Sequence, residues 1–332
     1  YHDLNRDWVW QSQQESQQRL KLYNQWLPHV HVDYHEQSYN EPYYFAPAVE
    51  PYHELITPWQ REFQGIIGDN NAKYFDERQL LYFRNEEFDL LYPGYGDTYP
   101  TYKGAIGMTY EKAGSGAGGI AVKTSATDTL TLKERLEHHF LTGLSTVEAT
   151  YHNSENVILE FQNYFRTANE GDARKVKTFI ISNENNQNKL QDFLGLLDLN
   201  GIKYGQFANP KQMVIKAFDY QSGQKENIKV LSGDILISTQ QDMSVLAQVL
   251  FEPQTTVSDT LTYDITAWSL PYAFGLKAYA TEKALELQAY SSPIVRSPLG
   301  LLNSGYYGSL VQWGSINALK FLTGVLKNKV VV

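Results

Sequence analysis

The chain contains no cysteine, so disulfides and thiol chemistry are excluded, while the redox compartment stays open. It has no run of about 18 apolar residues, so nothing in it reads as a membrane-spanning helix. A basic excess is also missing. The net charge is −9, which argues against nucleic acid or an anionic membrane as the main partner. Gly114-Ser115-Gly116-Ala117-Gly118-Gly119 lacks the Lys-Ser/Thr end of a phosphate loop and the strand-to-helix setting of a dinucleotide fingerprint. No Gly-x-Ser-x-Gly elbow occurs, so a serine hydrolase finds no support.

What remains is an ordinary globular composition, 42% hydrophobic and 20% charged. At 332 residues it is long enough for about two domains, each with its own core. The 24 tyrosines and 6 tryptophans suit handling of extended peptides or glycans, or filling of a core.

Along the chain, residues 10–27 read as a helix ended by Pro28. Val30, Val32 and Tyr34 then alternate with His31, Asp33 and His35, the period of a half-buried strand. A second helix is predicted over 58–75, with Trp59, Phe63, Ile66 and Ile67 on its apolar face. Residues 80–103 are aromatic and rich in turn formers. A strand at 104–111 ends in Glu111, before a glycine-rich turn at 114–119. From 128 to 167 helical patterning dominates: Thr131 and Glu134 fit a capping box, and Leu132, Leu136 and Phe140 repeat at i, i+4. His138 and His139 read as helix residues, one exposed and one packed.

The segment 168–172 reads as a domain boundary. Beyond it come a strand at 177–182, a helix at 185–200 capped by Gly201, and a strand starting at Ile202. A strand-rich piece covers 228–240, and 260–270 closes that region. A weaker echo of strand, helix and strand appears at 306–312, 315–326 and from 330. The expected organisation is a domain at 1–170, an accessory α/β region at 173–300 and the start of a further α/β domain at 301–332.

Three segments stand out in order: Asp3-Leu4-Asn5-Arg6-Asp7-Trp8, Asp33-Tyr34-His35-Glu36-Gln37 and Gly104-Ala105-Ile106-Gly107-Met108-Thr109-Tyr110-Glu111. Together they resemble the second half of the catalytic domain of M14 zinc carboxypeptidases, nearest to the large secreted M14-like peptidases of Bacteroidetes. The resemblance covers residues 1–170. It implies a partial three-layer mixed α/β sheet of zinc-carboxypeptidase type, a peptide substrate, and a periplasmic or secreted setting. It further implies that His35 is a zinc ligand, that Glu111 is the general base, and that Asn5 and Arg6 bind the substrate's terminal carboxylate. Tyr92 matches the mobile tyrosine that closes over substrate, with Tyr95 beside it and Tyr99 near the floor of a neutral side-chain pocket.

These residue types suit those tasks. An arginine fork meets a carboxylate with two parallel hydrogen bonds, and a carboxylate beside a metal-bound water can carry its proton. His31 lies four strand residues from His35, about 13 Å, too far to share a zinc at about 2.1 Å. The family's His-x-x-Glu ligand pair and an oxyanion-stabilising arginine are missing from their expected place before Arg6, so the chain reads as an internal piece, inactive alone. Tyr1 to Trp8 carries no feature of a signal peptide. The His152-Asn153-Ser154-Glu155 sequence falls in the wrong order for the family. The rival reading is a non-catalytic peptide-binding pseudo-peptidase; a purely structural domain would scatter His35, Arg6 and Glu111.

Overall fold

A computed structural model describes residues 2–115, 119–170, 175–209, 211–258, 261–263, 267–290, 310–311 and 313–329. The chain divides into two compact units: residues 1–170 with 242–268, and residues 171–241 with 269–332. Both combine helices with sheet, so the class is mixed α/β.

The first unit opens with a single helical turn over Leu4–Arg6. Asp3 caps it, its Oδ1 accepting the Asn5 backbone N–H at 2.9 Å. Helix α1 (Gln14–Trp26) follows and stops where Leu27 turns left-handed. Strands β1 (Val30–Ser38) and β2 (Tyr43–Tyr44), helix α2 (Pro58–Asp76), strand β3 (Tyr82–Phe83), helix α3 (Thr98–Thr101) and strand β4 (Ile106–Ser115) then build the sheet. Its order is β1-β4-β2-β3, with β1 parallel to β4 and β2 antiparallel to β4. The hairpin β5 (Ala121–Lys123) and β6 (Thr129–Thr131) leads into helices α4 (Leu132–His152) and α5 (Ser154–Glu170).

Helix α2 starts as its sequence requires: Thr57 and Gln60 form a reciprocal capping box, with Pro58 at the first turn. Gln60 then reaches the carbonyls of Thr101 and Ala105 at 2.9 and 2.8 Å, and Gln64 reaches that of Gly107 at 2.9 Å. These bonds fix the helix to the start of β4. One sheet face packs on α2 and α4 through Ile106, Met108, Tyr110, Tyr43, Phe63, Ile67 and Phe75, with Val30 and Val32 beside them. Alternation along β1 and β4 sends His31, Asp33, His35, Thr109 and Glu111 to the opposite face.

Three expectations are corrected here. Strand β4 does not end at Glu111 but runs through Ser115, and the register slips between Gln37 and Ser38, opposite Gly114. Gly114 has φ +152°, and a Cβ there would lie 2.5 Å from Arg135 Nε, so a glycine bulge continues the strand. Helix α4 does begin at the Thr131–Glu134 capping box. However, Leu132, Leu136 and Phe140 face outward, 40%, 61% and 65% exposed. The face turned to the sheet is Thr142, Ser145, Thr146 and Ala149, whose small size admits Tyr43 and Tyr110; their hydroxyls meet Thr142 and Thr146 at 2.9 and 2.7 Å. Third, His138 and His139 are both half-buried.

In the second unit come β7 (Thr178–Ile181), α6 (Gln187–Asn200), β8 (Gly205–Gln206), β9 (Met213–Asp219), β10 (Gln224–Val230) and β11 (Ile235–Ser238). Helix α7 (Ser244–Phe251) belongs to the first unit, after which α8 (Leu270–Ala273), β12 (Ala278–Thr281) and α9 (Ile316–Lys327) return to the second. Gly201 caps α6 at φ 73° as its position requires. The sheet order is β10-β9-β12-β7-β11-β8, every neighbour antiparallel. The strand expected at Ile202 starts at Gly205 and pairs with β11. The strands expected over 306–312 and from 330 fall mostly outside the described residues.

Candidate active site

The N-terminal segment is held against the loop that follows Leu91. Asn5 Oδ1 accepts the Gly96 N–H at 2.9 Å, and the Trp8 N–H bonds the Gly94 carbonyl at 3.2 Å. Gly94 is required by closeness, because a Cβ would lie 2.7 Å from the Arg6 carbonyl oxygen and 2.3 Å from the Tyr92 ring. The clamp sets the Arg6 guanidinium 4.5 Å from the Tyr95 ring centroid, with Asp3 at 3.5 Å.

On the polar face of the sheet, His35 and Glu111 stand opposite each other in register on adjacent parallel strands. Asp33 Oδ2 lies 2.9 Å from His35 Nε2. This hydrogen bond is the main reason the His35 imidazole is pushed up from its usual value. Asp33 passes so near the loop that a Cβ on residue 96 would fall 1.8 Å from its Oδ2, so only glycine fits there. Behind it, buried Asp97 accepts bonds from Thr109 Oγ1 and Thr98 Oγ1, both at 2.9 Å. Burial pushes the Asp97 carboxyl up.

Glu111 is 8% exposed. Its Oε2 is buried with no hydrogen-bond partner in the structure. Burial pushes its carboxyl up to about 7, His35 opposes this, and Asp33, Asp97 and Glu87 add to it. A carboxyl titrating near neutrality can take up and release a proton under ordinary conditions. Its neighbour Glu36 points to the other face and pairs with Arg135.

Tyr263 completes the cluster. It arrives with residues 242–268; its N–H bonds Asp89 Oδ2 at 2.7 Å, and its ring lies 6.2 Å from Tyr95. Its hydroxyl bonds Arg6, and Glu111 lies near enough to help hold the phenol proton on, after burial.

Arg6, Asn5, Tyr95, His35 and Glu111 therefore gather around one end of the sheet and its adjoining loop. Two other expectations do not suit their residues. Tyr92 is 4% exposed, and its hydroxyl accepts from Trp10 Nε1 at 2.8 Å and donates to the Arg6 carbonyl at 3.4 Å. A side chain tied at both ends of its reach is not a swinging cover. Tyr99 is fully buried between Trp8 and Tyr23, with its hydroxyl 3.5 Å from Lys103 Nζ, so it faces no open pocket. Burial brings the Lys103 ammonium down to about 8.

His31 is enclosed by Trp8 and Tyr23 at 5.4 and 5.5 Å and bonds the Gly96 backbone; burial pushes it down. The His152–Glu155 pair is split by Asn153, which ends α4, so the two do not share one helix face. Sequence reading passed over Asp33, though its alternation with His35 already put both on one strand face. It also passed over Asp97 and Tyr263, for which the sequence carries no local signal.

As a metal centre the site offers one corner. The His35 Nε2 is committed to Asp33, which leaves Nδ1 as the donor nitrogen, and the unpartnered Glu111 oxygen faces the same side of the sheet. Among the described residues no group of three or more His, Cys, Asp or Glu is arranged to hold a metal ion. Compared with protein-family models, curated proteins and solved structures, the chain matches none.

Proposed function

We propose that this cluster is one side of a zinc carboxypeptidase active site of the M14 type, acting on the C-terminal residue of peptides. The observation that carries the reading is the register of His35 with Glu111 on neighbouring parallel strands, with Arg6 and Glu111 both acting on Tyr263. In this reading His35 Nδ1 supplies one metal ligand, and the remaining ligands come from outside the described residues. Zinc, when bound, supplies Lewis acidity toward the scissile carbonyl and toward water. Glu111 moves the proton from the attacking water to the leaving amine, a task its neutral-range carboxyl suits. Arg6 holds the terminal carboxylate by its planar fork, and the Asn5 side-chain Oδ1, accepting from the Gly96 N–H, keeps that turn in place.

The test uses the protein as isolated from the cells that make it. About one zinc per molecule, with release of the last residue from an N-acylated dipeptide that Glu111→Gln abolishes, supports the peptidase. Absence of zinc together with retained binding of the same dipeptide replaces it with a peptide-binding pseudo-peptidase. Periplasmic or secreted placement belongs to the same reading and would be checked by fractionating those cells.

A further inference from the structure

We infer that the outward face of helix α4 is a self-association surface, on which a second copy of this chain lays its own α4 antiparallel about a two-fold axis. The inference is independent of the proposed chemistry, since no residue that carries it belongs to the His35–Glu111 pair.

Helix α4 cannot roll to hide this face. Its capping box at Thr131 and Glu134 fixes where it begins. Its inner face is pinned at three points. Thr142 and Thr146 meet the Tyr43 and Tyr110 hydroxyls at 2.9 and 2.7 Å, and the Ser145 carbonyl accepts from Asn70 Nδ2 at 3.0 Å. Turning another face to the sheet would break these bonds and leave their polar groups buried and unpaired.

The face left outside is apolar. Leu132, Leu136, Phe140, Leu144, Val147 and Tyr151 are 40% to 74% exposed. They span about 120° of the helix surface, the width usual for a buried stripe, and run about 28 Å along the axis. Tyr34 of β1, also exposed, extends the surface beside Gly143, where a Cβ would lie 3.1 Å from its hydroxyl.

Area and charge name the occupant. The six side chains leave roughly 600 Å² of apolar surface in water, the top of the range for the largest patch on a monomer. With the Tyr34 ring and the stem of Lys133, the face reaches about 800 Å², one partner's share of a standard stable interface. Two copies of one face must be self-complementary. Antiparallel pairing meets that condition: Phe140 faces the partner's Leu144, Leu136 the partner's Val147, and Leu132 the partner's Tyr151. Exposed Lys133, at the start of α4 and 3.5 Å from Glu137, then approaches the partner's Glu155, which is exposed just beyond the end of α4. The helix dipoles also oppose each other. Parallel pairing would set Lys133 against its own copy, a like-charge contact.

The experiment measures the mass of the purified protein in solution by light scattering across a dilution series, for wild type and for Phe140→Glu combined with Val147→Glu. Melting curves at the lowest concentration confirm that the double variant, changed only at exposed positions, keeps its fold. The expected wild-type result is a dimer at about 100 μM that dissociates on dilution, with association weakened at least about 100-fold in the variant. The chain has no cysteine, so introduced thiols report alone. A mixture of Leu132→Cys and Tyr151→Cys proteins should link through a short bis-maleimide, while neither links to itself. Self-linking of each variant without linking in the mixture overturns the antiparallel arrangement. A wild-type monomer at about 100 μM, or a dimer that the double variant leaves intact, overturns the inference.

Discussion

His35 and Glu111 are directly paired residues of two adjacent parallel strands, β1 and β4, and both point away from the helix-packed face. Strand periodicity makes this arrangement brittle, since a slip of one residue would send one of the two into the core. Gly114 matters for the same reason: its bulge follows the pair, so the extra residue is absorbed beyond Glu111 and the register at the site is kept.

Glu111→Gln keeps the shape of the side chain and removes its ability to carry a proton. In the zinc-loaded protein the rate of peptide cleavage should fall at least about a hundredfold. Zinc content should not change, because in the proposed site His35 rather than Glu111 is the metal donor. Single-turnover cleavage together with metal analysis checks this; a variant that cleaves at the parental rate would remove Glu111 from the chemistry.

The same residue links stability to pH. Its folded carboxyl lies near about 7 against an ordinary value of 4.5, so the fold holds a proton that the unfolded chain releases. Stability from this group is therefore complete below pH 4.5 and is lost as pH rises toward about 7, by roughly 3 kcal/mol. Glu111→Gln should unfold like the parent near pH 4.5 and resist urea better at pH 8. Equal stability of the two proteins at pH 8 would contradict the burial argument.

Asp33 sets the tautomer of His35. With Nε2 at 2.9 Å from Asp33 Oδ2, the proton belongs on Nε2 and the lone pair on Nδ1. Nitrogen-15 spectra of the metal-free protein should show His35 as the Nε2–H form, and Asp33→Ala should give a mixture. Zinc affinity of the loaded protein should drop by about 10- to 100-fold in that variant. An unaltered tautomer would show that something else orients the ring.

How far the sequence revealed all this depends on which contacts were local. The strand was legible over 29–35, though it runs on to Ser38, because period-2 alternation is imposed by backbone geometry, and that alternation also set His35 and Asp33 on one face. Capping at Thr131 was legible because a cap and its partner lie three residues apart. The burial of Tyr92 was not, since the group that fixes its hydroxyl, Trp10, lies 82 positions away. Tyr263 was invisible for a similar reason: a separate excursion of the chain brings it to Arg6. Helix α4 misled because an i, i+4 apolar repeat tells which residues share a face, not which way that face turns.

That helix gives a clear contrast. Leu132, Leu136, Phe140, Leu144, Val147 and Tyr151 form an outward stripe, each at least 40% exposed, while Thr142 and Thr146 sit inside. Leu136→Ser with Phe140→Ser should change stability by less than about 1 kcal/mol and reduce binding of a hydrophobic dye. Thr146→Leu should cost roughly 1–3 kcal/mol by overpacking against Tyr110 and removing a 2.7 Å bond. Urea melts of the two variants decide it: the reverse order would mean that the stripe is inside.

The His53–Glu252 pair ties the returning segment to the first unit. The Leu55 N–H donates to His53 Nδ1 at 3.2 Å, so the proton on Nε2 faces Glu252 Oε1 at 2.9 Å, which also accepts from Thr255 Oγ1. His53 is fully buried and Glu252 is 6% exposed, so His53→Leu strands a carboxylate without its main donor. The expected loss is about 3 kcal/mol. His53→Leu combined with Glu252→Met should recover most of it, because the buried charge is then gone. Urea unfolding of the single and double variants measures both values. A double variant as unstable as the single one would show that shape, rather than the stranded charge, sets the cost.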